Sequence, residues 1–212
     1  MDERLADLPA RQLIERLATS DPIPGGGSAA ALAGAMGAAL VQMVVALTAG
    51  RPAAAEYEDI LAEIGRAARA GQSDLLALAE LDAAAYDAVV SARRLPRGTD
   101  LERRARDVQV AMATREATMA PLETAGRAAM VLELAERLAP IGNTNAISDV
   151  GVGALLAATA LRGAGLNVRI NLPYLAADDP LRADAARRLD DLLASLDERE
   201  RSIRETVDGR MG

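Results

Sequence analysis

Cysteine, histidine, lysine, phenylalanine and tryptophan are all missing from this chain of 212 residues, and its aromatics are three tyrosines. Without His or Cys there is no Ser-His or Cys-His nucleophilic pair, and no zinc site of the usual Cys/His kind. No metal ligand set is expected. Without Lys there is no Schiff-base or phosphate-loop lysine, and all 24 basic residues are arginine. Any general acid or base must be Asp, Glu, Tyr, a perturbed Arg or a bound water. Codon bias is an equally simple source of an alanine-rich chain whose only strong base is arginine. The lack of cysteine is compatible with a reducing compartment. The net charge of −7 argues against a nucleic-acid-binding surface. Met1-Asp2-Glu3-Arg4 has neither the basic start nor the apolar run of a secretory leader, so a cytoplasmic location is expected.

What is abundant is alanine, at helical spacing. Pro22 to Gly50 carries no charge and is dominated by Ala and Gly, with Gln42 in its middle. A membrane span needs about 20 strongly apolar residues, so a buried helix of a soluble bundle is expected instead. Ala30, Gly34 and Ala38 recur every four positions, a spacing that lets two helix backbones approach closely. That helix is predicted over about 28–48, with others over about 3–19, 54–94, 100–138, 148–164 and 181–207. Pro121 is expected to kink or break the fourth. Residues 167–175, where Val168, Ile170 and Leu172 alternate, read as a short strand or irregular segment, with a continuing helix the alternative. The predicted class is all-α: residues 1–212 as one multihelical domain around a central Ala/Gly-rich helix.

Several polar residues stand where others are expected. Gly25, Gly26 and Gly27 precede that helix and expose backbone N–H groups at its positive end, a place for an anionic or electron-rich ligand. Ser28 reads equally as a helix cap after a flexible loop. Leu75, Leu78, Asp82, Tyr86 and Val89 share one helical face, so Asp82 interrupts an apolar stripe. A carboxylate there needs a partner, such as an arginine in a core salt bridge, or a chemical task. All four asparagines, Asn143, Asn145, Asn167 and Asn171, fall within 29 residues. Turn chemistry accounts well for the first two and less well for the others. Asp149 reads as a helix-dipole partner or as a base at a cleft mouth.

Taken in order, Pro24-Gly-Gly-Gly-Ser28, Gly50-Arg51, Asp82-Ala-Ala-Ala-Tyr86 and Arg94-Leu-Pro-Arg-Gly-Thr99 form one half of a pattern. Pro121-Leu122, Gly142-Asn143 with Ser148-Asp149, and Asn167-Val-Arg-Ile-Asn-Leu172 complete it. Together they resemble the cyclodeaminase domain of formiminotransferase-cyclodeaminase and its stand-alone relatives, the methenyltetrahydrofolate cyclohydrolases, over roughly residues 12–175. The resemblance implies an all-helical, homodimeric enzyme acting on the N5/N10 one-carbon unit of tetrahydrofolate, with no cofactor beyond that substrate. By position it assigns the Gly25–Ser28 loop, Asp82, Asn143, Asp149 and Asn167 to the site, with Asp82 and Asp149 catalytic. Arg51 and the glycine loop are expected to hold the glutamate tail, which can be polyglutamylated. Tyr86 is often phenylalanine in the family, which makes its hydroxyl dispensable. Methenyltetrahydrofolate cyclohydrolase is the leading expectation, since the chain has no room for a formiminotransferase domain. Formimidoyltetrahydrofolate cyclodeaminase and a non-catalytic folate-binding module are the alternatives. The dimer is expected to bury the Ala30/Gly34/Ala38 helix or elements beside it, with no membrane partner.

Overall fold

The structure, a computed structural model, describes residues 4–211. Seven α-helices carry the described residues: α1 (Ala10–Leu17), α2 (Gly26–Thr48), α3 (Glu58–Arg94), α4 (Asp100–Leu138), α5 (Ile147–Asn171), α6 (Pro180–Leu193) and α7 (Leu196–Met211). There is no strand among them. The four long helices α2 to α5 form a ring in which each packs on its two neighbours, α2 on α3, α3 on α4, α4 on α5 and α5 on α2. This is an antiparallel four-helix bundle. The C-terminal helices α6 and α7 cover α4 and α5.

Small residues set the closeness of the ring. A Cβ added at Gly37 of α2 would lie 2.7 Å from the Gly153 carbonyl oxygen of α5, and one added at Gly153 would lie 3.2 Å from the Gly37 oxygen. Ala30, Gly34 and Ala38 are buried inside the protomer, and a Cβ on Gly34 would press on Ala160 and Leu75. The small-residue stripe therefore serves the intramolecular α2–α5 and α2–α3 contacts and is not a dimer surface. The opposite side of α2, with Met36, Met43 and Leu47, is exposed. Both α2 and the segment 144–174 are long and apolar enough to cross a membrane, and half of each most apolar window is buried in the bundle.

The structure departs from the sequence reading at five places. Residues 4–19 are not one helix: Leu8 is extended before Pro9, as its steric clash with the proline ring demands, and only a 3₁₀ turn, Leu5–Asp7, precedes it. Residues 1–3 lie outside the described residues. Helix α2 begins at Gly26 with Gly25 as its cap, so Ser28 sits inside the first turn and is not the N-cap. Residues 167–171 continue α5 rather than forming a strand, because Val168 is buried in the bundle core. The alternation that suggested a strand leaves Ile170 exposed. The C-terminal helix is two helices, α6 and α7, parted at Ala194-Ser195.

The fifth departure matters for the site. Pro121 neither breaks nor ends α4, which runs unbroken from Asp100 to Leu138. Proline deprives the carbonyl four residues back of its usual donor. That carbonyl is Ala117, and the Asn171 side-chain amide donates to it at 2.6 Å. The end of α5 thus supplies the bond that α4 cannot make for itself. At the start of α4, Thr99 and Glu102 form a reciprocal capping box.

Candidate active site

The stripe of α3 runs out of the core and into a cavity. Leu75 and Leu78 are buried among apolar neighbours. One, two and three turns later the same face presents Asp82, Tyr86 and Val89 to a cavity of about 380 Å³. The first turn of α2 closes one side with Gly25, Gly26 and Gly27, and the end of α5 closes another with Asn167.

Asp82 is held by the start of α2. A Cβ built on Gly27 would lie 2.1 Å from Asp82 Oδ1 and 2.5 Å from its Cγ. Only glycine allows α2 to press on the carboxyl group this closely. The three glycines are not present for left-handed backbone, since Gly50 alone among the described residues has positive φ. Close approach is the reason, and Gly27 is where it is needed. A Cβ on Gly26 would meet only the Asn167 amide nitrogen, at 3.8 Å.

The Ser28 hydroxyl, fully buried, lies 2.9 Å from the Ala79 carbonyl oxygen and 3.1 Å from Asp82 Oδ2. A hydroxyl has one proton, so the carbonyl and an ionised carboxylate compete for it. A protonated Asp82 ends the competition by donating to Ser28 Oγ. Burial pushes the Asp82 pKa above the ordinary aspartate value, while the hydrogen bonds from Ser28 act in the opposite direction. No arginine neighbours Asp82 among the described residues, so the core salt bridge considered for it is absent. Asn167 donates to the Gly163 carbonyl at 2.9 Å and turns its polar end into the cavity.

The remaining sequence candidates gather elsewhere. Arg51 Nη1 donates to Asn143 Oδ1 at 3.0 Å. The Asn143 backbone N–H donates to Thr48 Oγ1 at 2.9 Å and its amide to the Leu47 carbonyl at 3.2 Å. Its Oδ1 also accepts from the Asn145 N–H at 3.1 Å. Asn143 is a buried lock on the loop after α4, as turn chemistry predicts. The 23 residues of α2 put this lock about 35 Å from the glycine loop. Asp149 lies in the first turn of α5, where dipole complementation suffices, about 27 Å along that helix from Asn167. Within one protomer, Asp82 and Asp149 do not share a site, and Arg51 cannot reach a ligand beside Asp82.

The sequence profile of formiminotransferase-cyclodeaminase matches residues 9–191. The chain belongs to this family. It is 39% identical over 198 residues to methenyltetrahydrofolate cyclohydrolase of Methylorubrum extorquens, an alignment covering 93% of this chain and 95% of that one. It is 31% identical to formimidoyltransferase-cyclodeaminase of Rattus norvegicus over 91% of this chain, but spans only 35% of that longer protein. The fold matches the crystal structure of formiminotetrahydrofolate cyclodeaminase from Thermotoga maritima with a TM-score of 0.86. That match covers 97% of this chain and 98% of the other at 24% identity, a likeness of fold alone.

For a formiminotransferase-cyclodeaminase family member, the cavity holds more than the sequence motifs named. Thr114 and Ala117 of α4 line it, as do Asn171 and, beyond α5, Tyr174. Arg93, eleven residues past Asp82 on α3, lines the far end. Asn171 carried a signal, as one of the two asparagines that turn chemistry explains poorly. Arg93 and Tyr174 carried none, being 81 residues apart and joined only by the fold.

Proposed function

We propose that this family member is a methenyltetrahydrofolate cyclohydrolase, adding water to the 5,10-methenyl bridge of tetrahydrofolate to give the 10-formyl derivative. The observation that carries the reading is Asp82: a half-buried carboxyl group of raised pKa, without a cationic partner among the described residues, on the wall of a cavity that begins at a helix N-terminus. The Methylorubrum relative, aligned over nearly its whole length, is named for the same reaction.

The methenyl bridge is a delocalised cation, and an ionised Asp82 stabilises it by charge. As the water oxygen bonds to the bridge carbon, the carboxylate takes a proton from that water. The carboxylic acid then returns this proton to N5 as the carbon–N5 bond breaks. The remaining hydroxyl proton leaves to solvent as the formyl C=O forms, so one proton is released per turnover. A raised pKa suits a group that must both accept and return a proton. Asn167 and the backbone of the glycine loop present donors and an acceptor to the amide-bearing pterin edge.

In the same reading the enzyme is a cytoplasmic homodimer with no cofactor beyond its folate. The outer face of α2 carries no charge and leaves Met36, Met43 and Leu47 exposed, which suits a second copy. Light scattering on the protein and on Met43→Glu tests the dimer.

The activity is tested with purified protein and 5,10-methenyltetrahydrofolate, following loss of the near-ultraviolet absorbance of the bridge. The formimidoyl derivative is assayed in parallel for ammonia. Enzyme-dependent loss without ammonia release is the expected result. Ammonia release without hydrolysis would replace the cyclohydrolase with a cyclodeaminase. Folate binding with neither reaction would leave a binding module.

A further inference from the structure

On α3, Asp82, Tyr86, Val89 and Arg93 follow at intervals of four, three and four residues and line one cavity. The eleven residues from first to last span about 16 Å of helix. Arg93 is the only basic residue on the cavity wall among the described residues. Its guanidinium carbon stands 5.2 Å from the centre of the Tyr174 ring, a stacking that fixes the fork without neutralising it. No carboxylate pairs with it within 4.0 Å among the described residues, so its charge is not neutralised by a neighbour.

Between Asp82 and Arg93 the wall presents Tyr86, Val89 and Ile170, beside Asn171, whose amide is engaged by the Ala117 carbonyl. Its sequence of chemistries is therefore carboxyl, ring-sized apolar wall, then fixed cation. Beyond Arg93 the chain turns into α4 through residues 94–106, which hold Arg94, Arg97, Arg103, Arg104 and Arg106 against Asp100 and Glu102. Arg106 Nε donates to the Arg93 carbonyl at 3.2 Å, so this basic turn adjoins the cavity mouth. A positive turn is conspicuous on a chain of net charge −7.

We infer that Arg93, held on Tyr174, receives the carboxylate of the substrate's first glutamate, and that the arginine-rich α3–α4 turn accepts further γ-linked glutamates. The inference rests on the folate reading. The substrate's one-carbon bridge is joined to its glutamate by an aminobenzoyl ring, which matches the order of groups from Asp82 through Tyr86 and Val89 to Arg93. Arg51, expected from its charge to hold the tail, is locked on Asn143 at the other end of the protomer.

The test compares three methenyl substrates, those of tetrahydropteroate without glutamate, of the monoglutamate and of the tetraglutamate, on the parent, Arg93→Gln and Arg93→Lys. Loss of one charge-assisted carboxylate bond predicts a KM for the monoglutamate raised about ten- to a hundredfold in Arg93→Gln, with kcat retained and pteroate kinetics unmoved. Arg93→Lys recovers part of the loss, since it keeps the charge without the stacked fork. Replacing Arg97 and Arg104 with Gln removes any preference for the tetraglutamate over the monoglutamate. An Arg93→Gln variant that weakens pteroate as much as the monoglutamate, or that leaves all three KM values alone, overturns the assignment. Calorimetric binding of 5-formyltetrahydrofolate and of its pteroate counterpart reads the same preference without turnover. A glutamate preference that depends on Arg93 in an enzyme without hydrolysis sinks the cyclohydrolase reading and leaves Arg93 standing. Hydrolysis without any glutamate preference does the reverse.

Discussion

Gly27→Ala puts the catalytic reading under its most direct strain. The added Cβ would stand 2.1 Å from Asp82 Oδ1, 2.5 Å from Cγ and 2.6 Å from Oδ2. No carbon and oxygen rest at that separation, so the carboxyl group must retreat by roughly 1 Å or more, a displacement that costs about a hundredfold in rate when a reacting group is misplaced. Retreat also breaks the 3.1 Å contact with Ser28. Overpacking typically costs about 1–3 kcal/mol, and replacing glycine by alanine in a helix returns up to about 1 kcal/mol. The expected net is a fall in melting temperature of only a few degrees for a domain of this size, about 2–4 °C per kcal/mol. Gly26→Ala is the matched control for folding: its Cβ meets only the Asn167 amide, at ordinary contact distance, and it should melt no lower than the parent. The assay is kcat/KM on 5,10-methenyltetrahydrofolate beside thermal melting of the same samples. If Gly27→Ala melts near the parent and keeps activity within about threefold, a factor too small for a displaced acid–base group, then the position of Asp82 is not used in the reaction.

Asp82→Asn is expected to keep the fold and lower turnover by about a hundredfold or more. Its stability has a sign fixed by linkage: with the folded pKa raised, the native state binds more protons than the unfolded one, so stability falls as pH climbs from the unfolded aspartate pKa through the folded value. Asn has no such loss, so thermal melting should shift in favour of the variant through that window and by a constant amount above it, and a variant that melts far below the parent yet turns over normally would make Asp82 a structural residue. Ser28→Ala removes a bond that holds the Asp82 pKa down, so the acid limb of the kcat–pH profile should move to higher pH; an unmoved limb would take Asp82 out of that profile. Asn171→Ala orphans the Ala117 carbonyl that Pro121 leaves without a helical donor and should cost about 1–3 kcal/mol in denaturant unfolding. Adding Pro121→Ala restores an N–H, and a double mutant no more stable than Asn171→Ala would refute the pairing.

The bundle was legible because its signals are local and repeated. Alanine and leucine at helical spacing mark α2 to α5, and Gly50-Arg51-Pro52 ends α2 where the reading placed it. The failures share a cause: local pattern outvoted by packing or sterics. Residues 167–171 alternate like a strand, yet Val168 is drawn into the core as the last turn of α5. Pro121 should interrupt a helix, but a side chain 50 residues away compensates the lost bond. Asp82 was found because it violates a pattern, standing on an apolar stripe at the place where that stripe leaves the core for a cavity. Turn chemistry already set Asn143 apart from Asn167 in sequence, and the fold follows that division, with Asn143 in a loop lock and Asn167 on the cavity wall. Asp149 was carried by family position and Arg51 by its charge, and within one protomer both lie a helix length from Asp82.

The distance between Asp82 and Arg93 bears on why the site works with the residue types available. The chain has 24 arginines and no other strong base. An arginine beside Asp82 would hold its pKa far down and leave a carboxylate too weak to take a proton from water. Yet an anionic substrate needs a cation somewhere in its path. Eleven residues of α3 satisfy both demands. About 16 Å exceeds the screening length of roughly 8 Å at physiological ionic strength. Arg93 at the open end can therefore hold a carboxylate while the half-buried Asp82 keeps the basicity that burial confers. Moving the cation inward to position 86 would test this separation: Tyr86→Arg stands one turn from Asp82, and should pull the acid limb of the pH profile down while slowing turnover. A profile that stays in place would mean that Asp82 basicity does not depend on its isolation from charge.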